Sequence, residues 1–339
     1  MKFFLILFNL IALIPLYFNR LYTILIAYFF FKNIKRKINT NKKKLIIVYD
    51  FETNNPTFGE YIFYLVLAKF LEIKKKKVEI ILITSFTKNS NFNLLSKKKI
   101  LIFKNEIKKL TFLFLRKNFI EYSDINKFIK DYQNKNQDIL FSDFIFKREK
   151  FHNYFLQIFN FLLFNEKNNF ISKIGLTKNK IEINQKLKKI KPYITWHIRK
   201  NNKWGNYNNS KEEILKISNY LKKFKKKHNI LILSDENTCR WARKILKNIH
   251  NIYYSDIIAN GFTECAKALI NSDYFFQFKA GGLTHIAYFT NVPYKIISYS
   301  NPHDKSFSKK KFLSWQRDDQ IRVYNYKKIN ITNVLNEKL

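Results

Sequence analysis

Apolar and polar positions alternate along this chain in blocks that name most of its elements. Positions 3–31 are almost wholly apolar, broken by Asn9, Pro15, Asn19 and Arg20, and a basic run follows at 32–44. That length is enough to cross a bilayer once. Arg20 leaves a tilted span, a re-entrant hairpin or an interfacial helix open. The positive charge after it would keep the body of the protein on the cytoplasmic side. A cleaved signal peptide fits less well, because the first residues hold one lysine and no A-x-A site follows. The run 45–49 (LIIVY) then predicts a buried strand. A polar turn with Pro and Gly occupies 50–59. A helix is expected over 60–73, with Ile62, Leu65, Val66, Ala68 and Leu71 apolar, and a second strand over 78–83. Strand, loop, helix and strand at this spacing make a βαβ unit and a parallel sheet. Residues 100–103 (ILIF) read as a third strand, while 110–119 and 139–146 are Phe-rich without a decisive period. A buried helix is expected over 151–164, and the polar stretch 165–191 reads as a domain boundary.

The second half reads more cleanly. Strands are expected at 193–197, 230–233, 252–254, 274–277 and 294–297, with helices at 211–226, 238–247 and 262–271. Strands alternating with helices give a doubly wound α/β domain. The chain therefore reads as a membrane segment and basic linker (1–44), followed by two Rossmann-like domains, 45–175 and 176–330, with a cleft between them.

Composition changes this picture little. The 339 residues suffice for two domains, and 46% hydrophobic content excludes a disordered polymer. Two cysteines, Cys239 and Cys265, with no CxxC, point to neither a zinc site nor a disulfide framework, which fits a reducing compartment; no cofactor is expected. The formal charge is +38, but only nine of the 63 basic residues are arginine. Lysine mixed with abundant Asn, Ile and Phe looks like the imprint of an A+T-rich coding sequence. A basic surface still attracts phospholipid headgroups and nucleotides. None of the usual nucleic-acid motifs is present, so no specific nucleic-acid partner is expected.

The chemistry gathers at strand ends. Residues 273–297 read DYFFQFKAGGLTHIAYFTNVPYKII: a strand, a tight turn at Ala280–Gly281–Gly282, a short helix over 284–289 and another strand. Gly281 and Gly282 would let the backbone approach a ligand. Thr284 would cap the helix, whose free N–H groups favour a phosphate. In YITWHIRKNNK, His197 and Arg199 fall where an apolar strand gives way to a polar loop, on one side of the extended chain. An arginine there suits a bidentate grip on a phosphate, or else holds a loop carboxylate. Asp235 ends the strand ILILSD; it would accept from a ribose, or cap the next helix. Glu264 would reach a ribose, or lie on an exposed helix face. Asn54, Asn55, Gly59 and Glu60 follow the first strand and would face the cleft, or serve as turn and helix-start residues. No G-x-G-x-x-G, Walker A or G-x-S-x-G pattern is present, which argues against dinucleotide redox, P-loop and hydrolase chemistry.

The order of these pieces resembles the GT-B glycosyltransferases. WHIRKNNK is similar to the H-x-R-x-x-D motif of the α1,6-fucosyltransferase and protein O-fucosyltransferase group, with Asn202 where that group has Asp. The segment GGLTHIA also resembles the D-x-G-x-x-H-x-A region of bacterial heptosyltransferases. The resemblance spans about 193–298. It implies a nucleoside-diphosphate sugar donor, GDP-linked for the fucosyltransferase group, and a glycan or lipid-linked acceptor. It implies inverting, metal-independent transfer, with Arg199 gripping the donor phosphates, His197 shaping that site, Asp235 near the nucleoside and 281–285 on the phosphate side. Asp50, Glu52 and Glu60 are the candidates for a general base. The remaining readings are a nucleotide-sugar epimerase or hydrolase and a non-enzymatic basic membrane-surface protein.

Overall fold

Leu45 to Tyr49 are buried on both faces of β1 (Lys44–Asp50), as a continuous apolar run demands of a central parallel strand. The computed structural model describes residues 44–132, the strand backbone at 138–141, 171–200 apart from 172 and 179, 208–279, 281–299 and 316–325, with six positions between 25 and 36. Most of the apolar N-terminal segment, the helix expected over 151–164 and Asn202 lie outside the described residues. Among the described residues no helix is long and apolar enough to cross a membrane.

β1 pairs in parallel with β2 (Lys77–Ile83) and β4 (Asp138–Phe141), and β2 with β3 (Ile120–Tyr122), giving the order β3-β2-β1-β4. The second sheet is built from β5 (Tyr193–His197), β6 (Asn229–Leu233), β7 (Ile252–Tyr254), β8 (Phe275–Phe278), β9 (Tyr294–Tyr299) and β10 (Gln320–Asn325). All pairings are parallel, in the order β10-β9-β8-β5-β6-β7. Counted from its own first strand this is 3-2-1-4-5-6, the doubly wound Rossmann order, and the first sheet keeps its 3-2-1-4 part. The two Rossmann-like halves expected from the sequence are present.

Helix α1 (Phe58–Ile73) joins the halves. Thr57 caps it by accepting from the Glu60 N–H at 3.4 Å. Tyr61 to Ala68 are buried without a break, so apolar residues cover every side of the helix and not a single stripe. A helix apolar all round has partners all round. One core accordingly runs from Leu45, Tyr49 and Tyr61 through Leu65 to Leu231, Phe275, Ala287 and Tyr294 of the second half.

The stretch 100–103, read as a strand, lies inside helix α2 (Lys97–Leu115), as does most of 110–119. Ser96 caps α2 through the Lys99 N–H, and Phe103, Ile107, Leu110 and Phe114 follow a helical repeat into the core. Leu101, Ile102 and Phe112 point outward. These outward apolar residues hid the period and made a short strand look plausible.

The inner side of α2 also carries Glu106. Its carboxylate accepts from the Thr263 N–H at 2.8 Å, in the first turn of α8 (Phe262–Ile270), and pairs with Lys109 at 2.8 Å. The residue before that helix, Gly261, supplies no side chain to cap it. A carboxylate from one half therefore caps a helix of the other. Burial alone would raise the Glu106 pKa; the bonds from Lys109 and Thr263 outweigh it and hold the carboxyl below its ordinary value. Glu106→Ala should destabilise the chain by about 2 kcal/mol, because it strands a buried N–H. Glu106→Gln, which keeps an acceptor, should recover much of that in urea unfolding at pH 7. Equal stability of Glu106→Ala and the parent would show that the cap contributes nothing.

Candidate functional site

The strand order of the second sheet reverses between β5 and β8. In an open parallel sheet, the crevice beyond the carboxyl ends at that reversal is where ligands sit. His197 ends β5, Arg199 follows it, and the turn at Gly281 and Gly282 follows β8. The loop 50–59 follows β1, the corresponding point of the first sheet.

His197 and Gln277 are register partners on β5 and β8, and His197 Nδ1 lies 3.1 Å from Gln277 Oε1. The Gln277 amide is oriented by its own Nε2, which donates to the Lys279 carbonyl at 2.7 Å. Its oxygen therefore faces the imidazole, Nδ1 carries the hydrogen, and Nε2 keeps its lone pair. Burial and then the nearby Arg199 guanidinium push the His197 pKa down to about 4. The ring is neutral at pH 7 and presents Nε2 as an acceptor.

That ring rests on the Gly281 backbone. A Cβ at Gly281 would stand 1.8 Å from His197 Cε1 and 2.3 Å from Nδ1. On the other side, a Cβ at Gly282 would meet the Phe262 ring at 3.4 Å, and Phe262 stacks on Phe58 of α1 at 4.4 Å. The two glycines are thus held between an imidazole and an aromatic stack. Gly281 is glycine because His197 needs its space, a close approach of side chain to backbone.

Helix α9 (Leu283–Ala287) begins one residue earlier than expected. Gly282 is its N-cap residue and makes no side-chain cap bond, so Thr284 sits within the helix and does not cap it. Thr284 is buried, and among the described residues its hydroxyl has no hydrogen-bond partner. Five residues align few peptide dipoles, so the helix contributes less to an anion site than the sequence suggested. His285 Nδ1 lies 3.2 Å from the Gly282 carbonyl, and the ring meets Phe63 of α1 edge-on at 4.9 Å. A Cβ at Gly59 would stand 2.7 Å from His285 Nδ1. Gly59 and Gly281 each let a histidine of the second half lie against backbone, one on each side of the seam.

Arg199 is half-buried. Burial lowers its pKa and the Asp235 carboxylate opposes that. Its backbone is fixed by Asn209, whose Oδ1 accepts from the Arg199 N–H at 2.9 Å and whose own N–H donates to the Arg199 carbonyl at 2.8 Å. Asp235 is the N-cap of α6 (Glu236–Ile245), accepting from the Thr238 N–H at 3.0 Å and hydroxyl at 2.8 Å. His197, Arg199, Asp235 and Gly281 therefore share one neighbourhood. Glu264 stands on α8, paired with Lys267 at 2.6 Å.

In the first half, the Asn54 amide donates to the Asp50 carbonyl at 2.9 Å and accepts from the Tyr64 hydroxyl at 2.7 Å. The Glu60 carboxylate accepts from the Asn55 N–H at 3.1 Å and side chain at 2.8 Å. These three residues hold the loop in shape. Of the base candidates, Asp50 is buried and accepts from the Glu52 N–H at 2.9 Å, and Glu52 accepts from Thr87 at 2.6 and 2.9 Å. The described residues contain no group of three His, Cys, Asp or Glu placed to hold a metal ion. Both cysteines are free and buried. Gln277 and Glu106 were not singled out from the sequence. Each had a signal: a lone amide in the apolar strand FFQF, and the one acid between Lys97 and Arg116.

No protein-family model and no curated protein matches the chain. Solved structures do. A glycosyl transferase family 9 protein from Veillonella parvula is 8% identical, with 88% of this chain and 90% of that one covered at a TM-score of 0.47. The E. coli heptosyltransferase WaaC with ADP is 9% identical, with 83% and 93% covered at 0.43. A UDP-GlcNAc 2-epimerase from Neisseria meningitidis bound to UDP-GlcNAc is 10% identical, with 78% and 84% covered at 0.35. At these values the likeness carries no inference about the chemistry of this chain.

The His197 ring gives the site a pH signature. The unfolded chain takes up this proton near pH 6.5, the folded chain only near 4. Between those values the unfolded state binds more protons, so stability falls as pH falls through the window and is complete above it. Part of the residue meets solvent, so the contribution is on the order of 2 kcal/mol. His197→Asn should lose about that much less stability than the parent between pH 7 and pH 4.5. Parallel urea curves for the two proteins would count against a neutral, enclosed imidazole.

Proposed function

We propose that the chain is a glycosyltransferase that takes a sugar from a nucleoside-diphosphate donor held by the second half. The observation that supports it most is the convergence of His197, Arg199 and the Gly281–Gly282 turn on the reversal point of a 3-2-1-4-5-6 parallel sheet. In this reading Arg199 binds the diphosphate and stabilises the charge that develops as the nucleotide departs. The nearby Asp235 carboxylate favours the charged guanidinium. His197, neutral with Nε2 free to accept, receives a hydrogen bond from a donor or acceptor hydroxyl. Transfer proceeds with inversion and without a metal, and the acceptor, a glycan or lipid-linked saccharide, enters over the loop that follows β1. The body of the protein works at the cytoplasmic face of a membrane.

The H-x-R order favours a GDP-linked donor, with fucose as the candidate sugar. The GGLTHIA segment, with His285 against Gly59, favours a heptosyltransferase-like donor instead. A thermal-shift panel of GDP, UDP, ADP and CMP separates them. A nucleotide at about a hundred times its dissociation constant stabilises the folded chain by about 2.7 kcal/mol. Selective stabilisation by GDP supports the first donor class and by ADP the second. No stabilisation by any nucleoside diphosphate would overturn the donor-binding reading.

A further inference from the structure

We propose that the outward face of α2 is a docking surface for an anionic lipid bilayer. The inner side of this helix is committed to the core through Phe103, Ile107, Leu110 and Phe114. Its opposite side exposes Leu101 at 57%, Ile102 at 52% and Phe112 at 51%, and Leu94, just before the helix, at 77%. Residues 101, 105, 108 and 112 stand at helical spacing on one stripe, with 98, 102, 109 and 116 beside it. The stripe therefore interleaves three large apolar side chains with Lys98, Lys108 and Arg116, Lys97 and Lys99 flank its start, and Lys109 beside it is paired with Glu106.

Glu121 pairs with Lys104 at the edge of this face, and α2 itself presents no acid outward. The one acid of the helix, Glu106, is buried at the seam between the halves. Scattered lysine would serve solubility without the apolar groups, and exposed apolar groups alone would suit any greasy partner. The two together on one face fit an interface that is hydrocarbon at depth and anionic at its surface. The lysine stems would lie along the acyl boundary while their ammonium groups reach the headgroups. Basic residues near such a surface add electrostatic attraction that salt screens. This contact is separate from membrane attachment through the N-terminal apolar segment, and it does not depend on the transferase reading.

The test places an environment-sensitive fluorophore on Ile102→Cys or Phe112→Cys in the full chain. Cys239 and Cys265 are buried, so the introduced thiol takes the label. Glu212→Cys, on the exposed start of α5 (Lys211–Phe224), is the control. On phosphatidylcholine vesicles containing phosphatidylserine, the labels at 102 and 112 should brighten about threefold and lose quenching by acrylamide, while the label at 212 should not change. Adding Lys98→Glu and Lys108→Glu should abolish the change at 102. Labels at 102 and 112 that stay as quenchable as the one at 212 overturn the proposal, even if the chain sediments with the vesicles through another segment. An equal response on pure phosphatidylcholine overturns its anionic part, and protection only by an acidic protein would reassign the face.

Discussion

Gly281→Ala is expected to destabilise the protein by about 3 kcal/mol, near the upper end for an overpacked site, and to abolish activity with it. The added methyl would sit 1.8 Å from His197 Cε1, inside any tolerable contact. The φ of Gly281 is not in the left-handed region, so the objection is one of space alone. Relief requires the imidazole to leave, which breaks its bond to Gln277 and exposes a cavity at the carboxyl end of β5. A second substitution makes the cause readable. In the His197→Ala background the methyl has room, so Gly281→Ala should there cost less than about 1 kcal/mol. Urea unfolding of the four proteins measures the coupling. If Gly281→Ala is as stable as the parent, the ring does not lie on that glycine.

Arg199→Ala is expected to keep the fold and lose about 10²- to 10³-fold in turnover of a nucleotide sugar, the scale of removing one preorganised group from a developing anion. The side chain is half-buried and its backbone bonds to Asn209 do not involve the guanidinium, so the fold survives. Arg199→Lys keeps the charge but not the planar fork, and should fall between the two. The measurement is release of nucleoside diphosphate under saturating donor, with circular dichroism to check folding. Full turnover by Arg199→Ala would remove the leaving-group role from this residue.

How far the sequence carried this picture depended on the range of each interaction. β5 and β7 were legible to the residue, because an apolar run bounded by polar residues is a local signal. α1 was legible as a helix, although only one stripe of it was read as apolar. Its full burial follows from a second half that no local window contains. α2 was missed because its outward apolar residues blurred the repeat. At Gly281 the sequence said only that space was needed. What fills that space, His197, lies 84 positions earlier and reaches it through the register of β5 on β8. In the sequence Asp235 suits either a ribose or a helix cap, and in the structure it bonds to Thr238. Gln277 and Glu106 act on residues 80 and 157 positions away, which no spacing rule encodes.

The buried run of α1 has a mechanical consequence. A helix greased on every side cannot be peeled from either neighbour without wetting large side chains such as Tyr61, Phe63 and Phe70. Wide swinging of the two lobes about a hinge is therefore disfavoured, and small sliding of packed helices past one another is the motion left to admit and release a substrate.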